Sequence, residues 1–308
     1  MYAASLSYTA LYHMLNHPLH HFNNRPSRSS HPTITTNSET MPHLLSGKTA
    51  IITGGTTGIG RAIALSFLSH GANVTVNHLD LPSDAQHLSS LLSEAESLRS
   101  KDPSAGKVFH LPGDVRDPET GRKLVEFAVE KGGNGRLDVC VSNAGICTFA
   151  EFLDISPDLF TNTVRTNLDG AFYVVQSAAR HMASQSPPGG SIIGVSSISA
   201  LVGGSQQGHY TPTKAGVLSL MQSAACSLGK HGIRCNALLP GTIRTQLNDE
   251  DLADEGKRGY MEGRIPLGRT GVPKDMAGPA VFLACEELSG YVTGAQLLVD
   301  GGLFVNLQ

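Results

Sequence analysis

Residues 53–60 read Thr53-Gly54-Gly55-Thr56-Thr57-Gly58-Ile59-Gly60, a glycine-rich run that joins a β-branched segment to a helical pattern. A second β-branched segment follows, so strand, loop, helix and strand fit within about 30 residues. Glycine permits a tight turn and a close approach of the backbone to a ligand. The first turn of the helix offers unpaired N–H groups and the positive end of its dipole, which suits a pyrophosphate. The run therefore predicts a dinucleotide-binding βαβ unit, whereas a glycine cluster without this context is usually an ordinary turn.

The chain beyond this unit repeats the alternation of short β-branched runs and longer helical patterns. We predict strands at 48–53, 73–77, 107–111, 137–142, 191–196, 233–238 and 295–299. We predict helices at 58–70, 84–100, 117–131, 157–184, 211–230 and 273–286. This alternation is typical of a parallel sheet covered on both faces. The predicted fold class is α/β, a single Rossmann-type doubly wound domain with a seven-stranded parallel sheet and its ligand at the carboxyl edge of the strands.

The first part of the chain, residues 1–42, is rich in His, Ser, Thr, Asn and Pro, and its first acidic residue is Glu39. We predict a disordered N-terminal extension at 1–42 and the folded domain at 43–308. Met41 directly precedes the domain, which favours Met41 as the true start and a cytoplasmic protein. The alternative is a mitochondrial presequence around Arg25 and Arg28.

Composition narrows the class of partner. The chain is 40% hydrophobic and 16% charged, with a formal net charge of -3, so it has no basic excess for nucleic acid or an anionic membrane. No stretch approaches the roughly 20 apolar residues that span a bilayer. The cysteines, which number 5, are scattered and form no CxxC pair. We therefore expect no metal site and no disulfide framework, and we treat all the cysteines as structural or incidental.

Tyr210 and Lys214 are spaced i and i+4, so both project from one face of a helix. A phenol is a poor base at neutral pH, but a nearby ammonium favours its ionised form. We therefore predict Tyr210 as the catalytic acid/base and Lys214 as the group that lowers its pKa. Ser197 follows a predicted strand, where its hydroxyl could orient the substrate oxygen. The alternative for the Tyr/Lys pair alone is a solvated helix face with a packed ring.

The motifs, taken together, resemble those of the short-chain dehydrogenases. The glycine run has the spacing TGxxxGxG, and three pieces follow in the order of that family: Gly113-Asp114-Val115, Asn143-Ala144-Gly145 and Pro240-Gly241-Thr242. The resemblance implies that Asp114 meets the adenine and that Pro240 to Thr245 hold the nicotinamide carboxamide. Asn167 matches the family asparagine that holds a water behind the lysine, which completes the catalytic set Asn167, Ser197, Tyr210 and Lys214. The implied cofactor contacts are Gly54, Thr57, Gly58, Ile59, Gly60, His78, Asp114, Val115, Asn143, Ala144, Gly145, Tyr210, Lys214, Pro240, Gly241, Thr242, Ile243 and Thr245.

The choice between NAD and NADP stays open at this stage. An acid at the end of the second strand binds the ribose hydroxyls of NAD, whereas a cation accepts the extra phosphate of NADP. Here the strand ends in Asn77-His78, and Thr57 stands where many NADP enzymes carry arginine. We predict NADP use with possible dual specificity.

The predicted substrate is polyhydroxylated, because Ser199, Gln206, Gln207 and His209 form a polar set around the catalytic groups. Three longer segments, 194–204, 209–216 and 260–268, resemble the fungal L-rhamnose 1-dehydrogenase branch of the family, as does the tail 294–308. This resemblance implies oxidation of the anomeric hydroxyl of L-rhamnose to its lactone, with sugar contacts from Ser197, Ser199, Gln207 and Tyr210. It also implies a homotetramer built through the helices near 157–184 and 211–230 and the C-terminal strand. We expect a mobile lid at 245–263.

Two other functions compete with sugar oxidation. The first is a 3-oxoacyl or other carbonyl reductase of the same family that uses NADPH. The second is a cofactor-binding regulator without catalysis, which the intact set of Asn167, Ser197, Tyr210 and Lys214 disfavours because binding alone does not require it.

Overall fold

A seven-stranded parallel sheet forms the centre of the protein in a computed structural model that describes residues 43–306. The predicted extension at 1–42 lies outside the described residues, and the domain boundary stays a prediction. The strands are β1 (Thr49–Ile52), β2 (Asn73–His78), β3 (Val108–Pro112), β4 (Val139–Ser142), β5 (Gly190–Val195), β6 (Ile233–Pro240) and β7 (Gln296–Val299). Their order across the sheet is β3-β2-β1-β4-β5-β6-β7. The predicted α/β doubly wound fold with a seven-stranded sheet is confirmed.

Helices cover both faces of the sheet. The larger ones are α1 (Gly58–Ser69), α2 (Pro82–Lys101), α3 (Pro118–Gly132), α4 (Pro157–Val164), α5 (Gly170–Ser184) and α6 (Thr211–Leu228). The later ones are α7 (Asp249–Ala253), α8 (Glu255–Arg264), α9 (Ala277–Ala284) and α10 (Glu286–Ser289). Among the described helices, none is both long and apolar enough to cross a membrane.

The side chains of each central strand alternate between two apolar layers. Ile52 packs in the layer under α1 and α9, whereas its neighbour Ile51 packs in the layer under α3, α5 and α6. Because successive side chains of a strand point to opposite faces, strands buried on both sides must be apolar throughout. Strand β1 follows this pattern: all of Thr49–Ile52 is buried, and its one polar side chain, Thr49, donates from Oγ1 to Oδ1 of Asn134 at 3.0 Å.

The strand order reverses between β1 and β4, which lie side by side with Ile52 opposite Val141. From β1 the chain proceeds outward to β2 and β3, and from β4 it proceeds in the other direction to β7. Open α/β sheets bind ligands in the crevice at this reversal, outside the carboxyl ends of the strands. The loops after β1 and β4 therefore form the walls of the expected site.

The structure differs from the predicted helices in three places. The predicted helix at 273–286 is a 3-10 turn at Pro273–Met276 followed by α9, and it ends at the extended residue Cys285. The predicted helix at 157–184 is interrupted by a π-helical turn at Arg165–Asp169, which separates α4 from α5. The predicted lid at 245–263 carries two helices, α7 and α8, that the sequence pattern did not indicate.

Candidate active site

The glycine run folds into a tight loop between β1 and α1. Gly54 and Gly58 have φ angles of 60° and 52°, which L side chains rarely adopt. A Cβ on Gly60 would lie 2.3 Å from the Gly54 carbonyl oxygen and 2.6 Å from Nδ2 of Asn143. Asn143 donates from Nδ2 to the carbonyls of Thr53 and Gly54, at 2.9 and 3.1 Å. The loop after β4 thus holds the loop after β1 in place, so the side chain of Asn143 is a scaffold for the glycine run.

The N-terminus of α1 is suited to an anion. Thr57 occupies the N-cap position but its side chain makes no capping hydrogen bond, and the first turn of α1 carries no acidic residue. The N–H groups and dipole of this helix end therefore remain available to a pyrophosphate. Thr245 lies across from this turn, with its Cγ2 3.4 Å from the position of a Cβ on Gly58. The residues present fit a dinucleotide cofactor.

The segment after β6 reaches this turn through a compact loop. Gly241 packs so closely on Asp300 that a Cβ there would lie 2.6 Å from the Cβ of Asp300. Asn248 closes the loop by accepting from the N–H of Thr245 at 2.9 Å and donating to the carbonyl of Ile243 at 3.0 Å. The predicted contacts from Pro240 to Thr245 are therefore brought to the same edge of the sheet as the glycine run.

The end of β2 carries a buried imidazole. Nδ1 of His78 accepts from the N–H of Asp80 at 3.1 Å, and Nε2 lies 3.3 Å from Nδ1 of His110. Burial, followed by the neighbouring His110, lowers the pKa of His78, so the ring is neutral at pH 7. Both ring nitrogens are engaged within the protein, and the imidazole of His78 has no free nitrogen for a cofactor. Asp80 is exposed and has a φ of 63°, an uncommon conformation for a residue other than glycine.

Two residues predicted near the adenine make contacts within the protein. The carboxylate of Asp114 accepts from Nε of Arg116 at 2.8 Å, and this hydrogen bond is the main cause that lowers the pKa of Asp114. Val115 is buried, and its Cγ2 lies 2.8 Å from the position of a Cβ on Gly170. Asp117 caps α3 by accepting from the N–H of Glu119 at 3.0 Å, as its position before Pro118 indicates. Asp114 is therefore free of the capping role.

The phenol of Tyr210 lies close enough to the Ser197 hydroxyl for that hydroxyl to oppose part of the rise in the phenol's pKa. Ser197 follows β5, and its Oγ also accepts from the N–H of Ser199 at 3.0 Å. Tyr210 lies at the start of α6, where Pro212 fits the first helical turn. The structure thus brings together two members of the predicted catalytic set, Ser197 and Tyr210.

Lys214 is buried beneath this pair. Its Nζ donates to the carbonyl of Val195 at 3.0 Å and lies 5.6 Å from the centroid of the Tyr210 ring. Burial lowers the pKa of Lys214 to about 8, because a buried ammonium loses its hydration. The lysine can therefore lose its proton near physiological pH.

In the resting protein, burial outweighs any effect of Lys214 on the pKa of Tyr210, and the lowering of that pKa by Lys214 stays a prediction. Burial raises the pKa of Tyr210 well above its usual value, the neighbouring Cys147 raises it further, and only the Ser197 hydroxyl lowers it. The ammonium is directed at the Val195 carbonyl and is itself weakened by burial, so it does not reverse this shift. The resting phenol is neutral.

Asn167 lies inside the π-helical turn and is buried. Its Oδ1 accepts from the N–H of Ile146 at 2.8 Å, and its Nδ2 donates to the carbonyl of Ile146 at 2.9 Å. Nδ2 also lies 3.2 Å from Oγ1 of Thr213. The side chain therefore ties the loop after β4 to α6, and it makes no direct hydrogen bond to Lys214.

A chain of polar side chains continues from Ser197 away from the phenol. The Ser199 hydroxyl donates to Oε1 of Gln207 at 3.3 Å, and Nε2 of Gln207 lies 3.7 Å from Sγ of Cys147. Two other predicted polar contacts lie elsewhere. Gln206 is exposed and donates to the Glu151 carboxylate at 2.7 Å. His209 is fully buried, and neither of its ring nitrogens has a partner among residues 43–306. Ser199 and Gln207 are therefore the members of the polar set that line the site.

The sequence of the whole domain fits one family. Residues 54–304 match the model of a family described as enoyl-(acyl carrier protein) reductase, of the short-chain alcohol dehydrogenase type. The chain belongs to the short-chain dehydrogenase/reductase family. The resemblance predicted from the motifs is confirmed.

Relatives within the short-chain dehydrogenases carry sugar-oxidising names. An L-rhamnose-1-dehydrogenase of Scheffersomyces stipitis is 61% identical over 87% of this chain and 100% of its own length. An L-rhamnose 1-dehydrogenase (NAD(P)(+)) of Sphingomonas is 55% identical over 86% of this chain and 99% of its own. A crystal structure of a gluconate 5-dehydrogenase from Burkholderia cenocepacia, in complex with NADP and tartrate, is 31% identical, with a TM-score of 0.75 and coverage of 85% of this chain and 96% of that one.

One residue of this short-chain dehydrogenase was missed by the sequence analysis. Cys147 was treated as structural or incidental, but its thiol lies beside Gln207 and close enough to Lys214 and Tyr210 to influence their charge. A signal existed, because Cys147 lies two residues after Asn143-Ala144-Gly145, in the loop that follows β4.

Proposed function

We propose that this protein oxidises the anomeric hydroxyl of L-rhamnose, or of a related aldose, to the lactone, with hydride transfer to NAD or NADP. The observation that carries this proposal is the polar chain Ser197, Ser199 and Gln207, which extends from the phenol of Tyr210. Such a row of donors and acceptors suits a substrate with several hydroxyl groups and leaves an acyl chain unmatched. The names of relatives at 61% and 55% identity support the same substrate.

The proposed roles follow from the contacts. Ser197 and Tyr210 hold the anomeric hydroxyl, and Tyr210, which passes its own proton toward Lys214, takes up the proton of that hydroxyl as the C–H bond breaks. A bound nicotinamide supplies the acceptor for the hydride. Lys214, with its lowered pKa, takes up and releases a proton behind the phenol. Asn167 keeps the loop after β4 in register with α6, so that these groups stay in position.

We propose that Gly54, Gly58 and Gly60, together with Thr245, hold the cofactor, with Asn143 fixing the glycine run. The uncapped N-terminus of α1 supports this assignment. No positive charge at the end of β2 selects NADP over NAD, since no cation follows β2 directly and the imidazole of His78 is neutral. We therefore propose that either cofactor binds.

The test is absorbance at 340 nm with purified protein, L-rhamnose, and NAD or NADP in parallel. L-Mannose, L-lyxose and D-glucose serve as comparison sugars. We expect the fastest reduction with L-rhamnose. No reduction with any sugar, together with NADPH oxidation by a 3-oxoacyl substrate, would overturn the proposal and leave the family assignment intact.

We also propose that the protein is a homotetramer. Phe160 of α4 and Phe172 of α5 expose 46% and 43% of their surfaces, and the outward side of α6 carries small residues such as Ala215 and Ser219. Exposed rings beside small side chains suit close packing of one helix pair on its copy.

The proposed compartment is the cytoplasm, with the mitochondrion as the alternative if residues 1–40 act as a presequence. All 5 cysteines are free thiols, which suits a reducing compartment. Mass spectrometry of the native N-terminus distinguishes a start at Met41 from a cleaved presequence.

A further inference from the structure

Cys147 and Gln207 form a contact across the sugar side of the proposed site. Cys147 lies in the loop after β4 and Gln207 in the loop after β5, and both positions are outside helices and strands. Nε2 of Gln207 points at Sγ of Cys147 at 3.7 Å, a distance within the usual range of a hydrogen bond to sulfur. Both side chains are half-buried, so the contact is partly accessible to solvent.

The opposite end of the Gln207 carboxamide is also fixed. Oε1 accepts from the Ser199 hydroxyl at 3.3 Å. Gly204 closes the remaining side, because a Cβ there would lie 2.4 Å from Oε1. The amide therefore has its oxygen between Ser199 and Gly204 and its nitrogen against the thiol, and rotation by half a turn would exchange these partners.

The orientation of this amide determines what it offers a ligand. A carboxamide presents two donors at nitrogen and two acceptor lone pairs at oxygen. One N–H of the Gln207 carboxamide is directed at sulfur, and one lone pair of its oxygen accepts from Ser199. The directions of the second N–H and the second lone pair are therefore fixed. A sugar hydroxyl that meets the nitrogen must accept, whereas one that meets the oxygen must donate.

We propose that Cys147 is a positioning residue that fixes the orientation of the Gln207 carboxamide and thereby the binding of the sugar. This inference rests on the proposed sugar oxidation. The thiol remains protonated at neutral pH, since burial raises the pKa of Cys147. A neutral sulfur accepts the amide N–H without drawing Lys214 into a tight ion pair. An apolar residue at position 147 would leave the N–H of Gln207 without its acceptor.

The kinetic test uses the full chain and L-rhamnose. We expect Cys147→Ala to raise the KM for the sugar about fivefold, which corresponds to about 1 kcal/mol for one neutral hydrogen bond. We expect kcat to stay within about twofold, because the Ser197–Tyr210 contact is unchanged. Cys147→Ser, which restores an acceptor, returns KM to within about twofold of the wild type. Cys226→Ala removes a thiol from the exposed side of α6 and serves as the matched control with unchanged KM.

A double-mutant cycle separates positioning from general packing. In a Gln207→Ala background, Cys147→Ala should change KM by less than about twofold, since the group it orients is gone. A second fivefold increase in that background would overturn the proposal, because Cys147 would then act independently of Gln207. Thermal unfolding of each variant checks that all of them are folded.

A crystal structure of Cys147→Ala gives a result that does not depend on turnover. Rotation of the Gln207 carboxamide away from position 147 supports the proposal, and retention of its orientation overturns it. Absence of wild-type activity on L-rhamnose, by contrast, counts against the proposed function alone.

Discussion

Tyr210 and Lys214 are both buried, and burial pushes each toward its neutral form. The pKa of the phenol is raised and that of the ammonium is lowered to about 8. Desolvation acts on each group separately, so at pH 7 the phenol is neutral and the ammonium keeps its charge at a cost, losing its proton more readily than in water. The i, i+4 spacing was sufficient to predict that the two side chains lie together, but the sequence could not reveal how deeply they are buried.

Tyr210→Phe tests the role of the phenol directly. We expect turnover to fall by about 10²–10⁴-fold, the usual contribution of a positioned acid or base. The ring still packs, so the Kd of the cofactor, measured by fluorescence titration, should stay within about twofold. Tyr291→Phe, at a fully exposed tyrosine, is the control. Retention of more than about a tenth of the activity would falsify the assignment.

Lys214→Met tests the cost of burying the lysine. The pKa falls from 10.5 to about 8 on folding, so the folded protein binds this proton more weakly than the unfolded chain does. The penalty is fully present below pH 8 and disappears between pH 8 and 10.5, so the wild type gains stability relative to the variant over that interval.

Denaturant unfolding of the wild type and the Lys214→Met variant at pH 7 and pH 10 measures this difference, which should be on the order of 1–3 kcal/mol. Lys230→Met, at an exposed lysine after α6, retains Lys214 and should therefore gain stability with pH as the wild type does. If the free energy of unfolding changed equally with pH in all three proteins, the charge on Lys214 would carry no cost in stability.

Among the elements, the glycine loop followed directly from its sequence, whereas the break between α4 and α5 did not. The helical pattern of 157–184 is continuous, and local propensity carries no sign of the π-helical turn. The turn accompanies the pairing of Asn167 with the backbone of Ile146, a contact between distant parts of the sequence. Cys147 escaped prediction for the same reason, since its partner Gln207 comes from another loop.

Gly60→Ala tests the contact between the loops after β1 and β4. The added methyl would lie 2.3 Å from the Gly54 carbonyl and must displace the loop or the amide of Asn143. We expect about 1–3 kcal/mol of destabilisation and at least about tenfold weaker cofactor binding, since the loop forms the proposed pyrophosphate site.

The matched control for this variant is Gly278→Ala in α9, where a Cβ meets nothing within 4 Å. Alanine at such a helical position should stabilise the protein by up to about 1 kcal/mol. Calorimetry and fluorescence titration measure the two effects. Unchanged cofactor affinity in Gly60→Ala would separate this loop from the cofactor.

At the scale of the whole molecule, the doubly wound sheet was predictable because strands covered on both faces read as mostly apolar runs that alternate with helical patterns. The assembly is a different matter, since the sequence does not distinguish a ring exposed to water from one that packs on a copy. The exposed rings of Phe160 and Phe172 make the proposed tetramer testable.

Phe172→Arg places a charge on the exposed face of α5. We expect sedimentation velocity to show smaller species than the wild type, because an unpaired charge is costly within an apolar contact. Leu81→Arg, at a residue that is 50% exposed at the start of α2, should leave the mass of the assembly in sedimentation unchanged. A wild-type protein that sediments as a monomer would remove the basis of the assembly proposal.

The hydrogen bonds from Asn143 to the glycine run also affect when the run can form during synthesis of the chain. Ribosomes deliver the chain from its N-terminus, and domains form as their segments emerge. A nascent chain that has emerged only as far as α3 contains the whole of residues 53–60 but not the amide that binds the carbonyls of Thr53 and Gly54. Thr245, which lies against Gly58, emerges later still. During synthesis, the cofactor can therefore stabilise the chain only after nearly all of the sheet has left the ribosome.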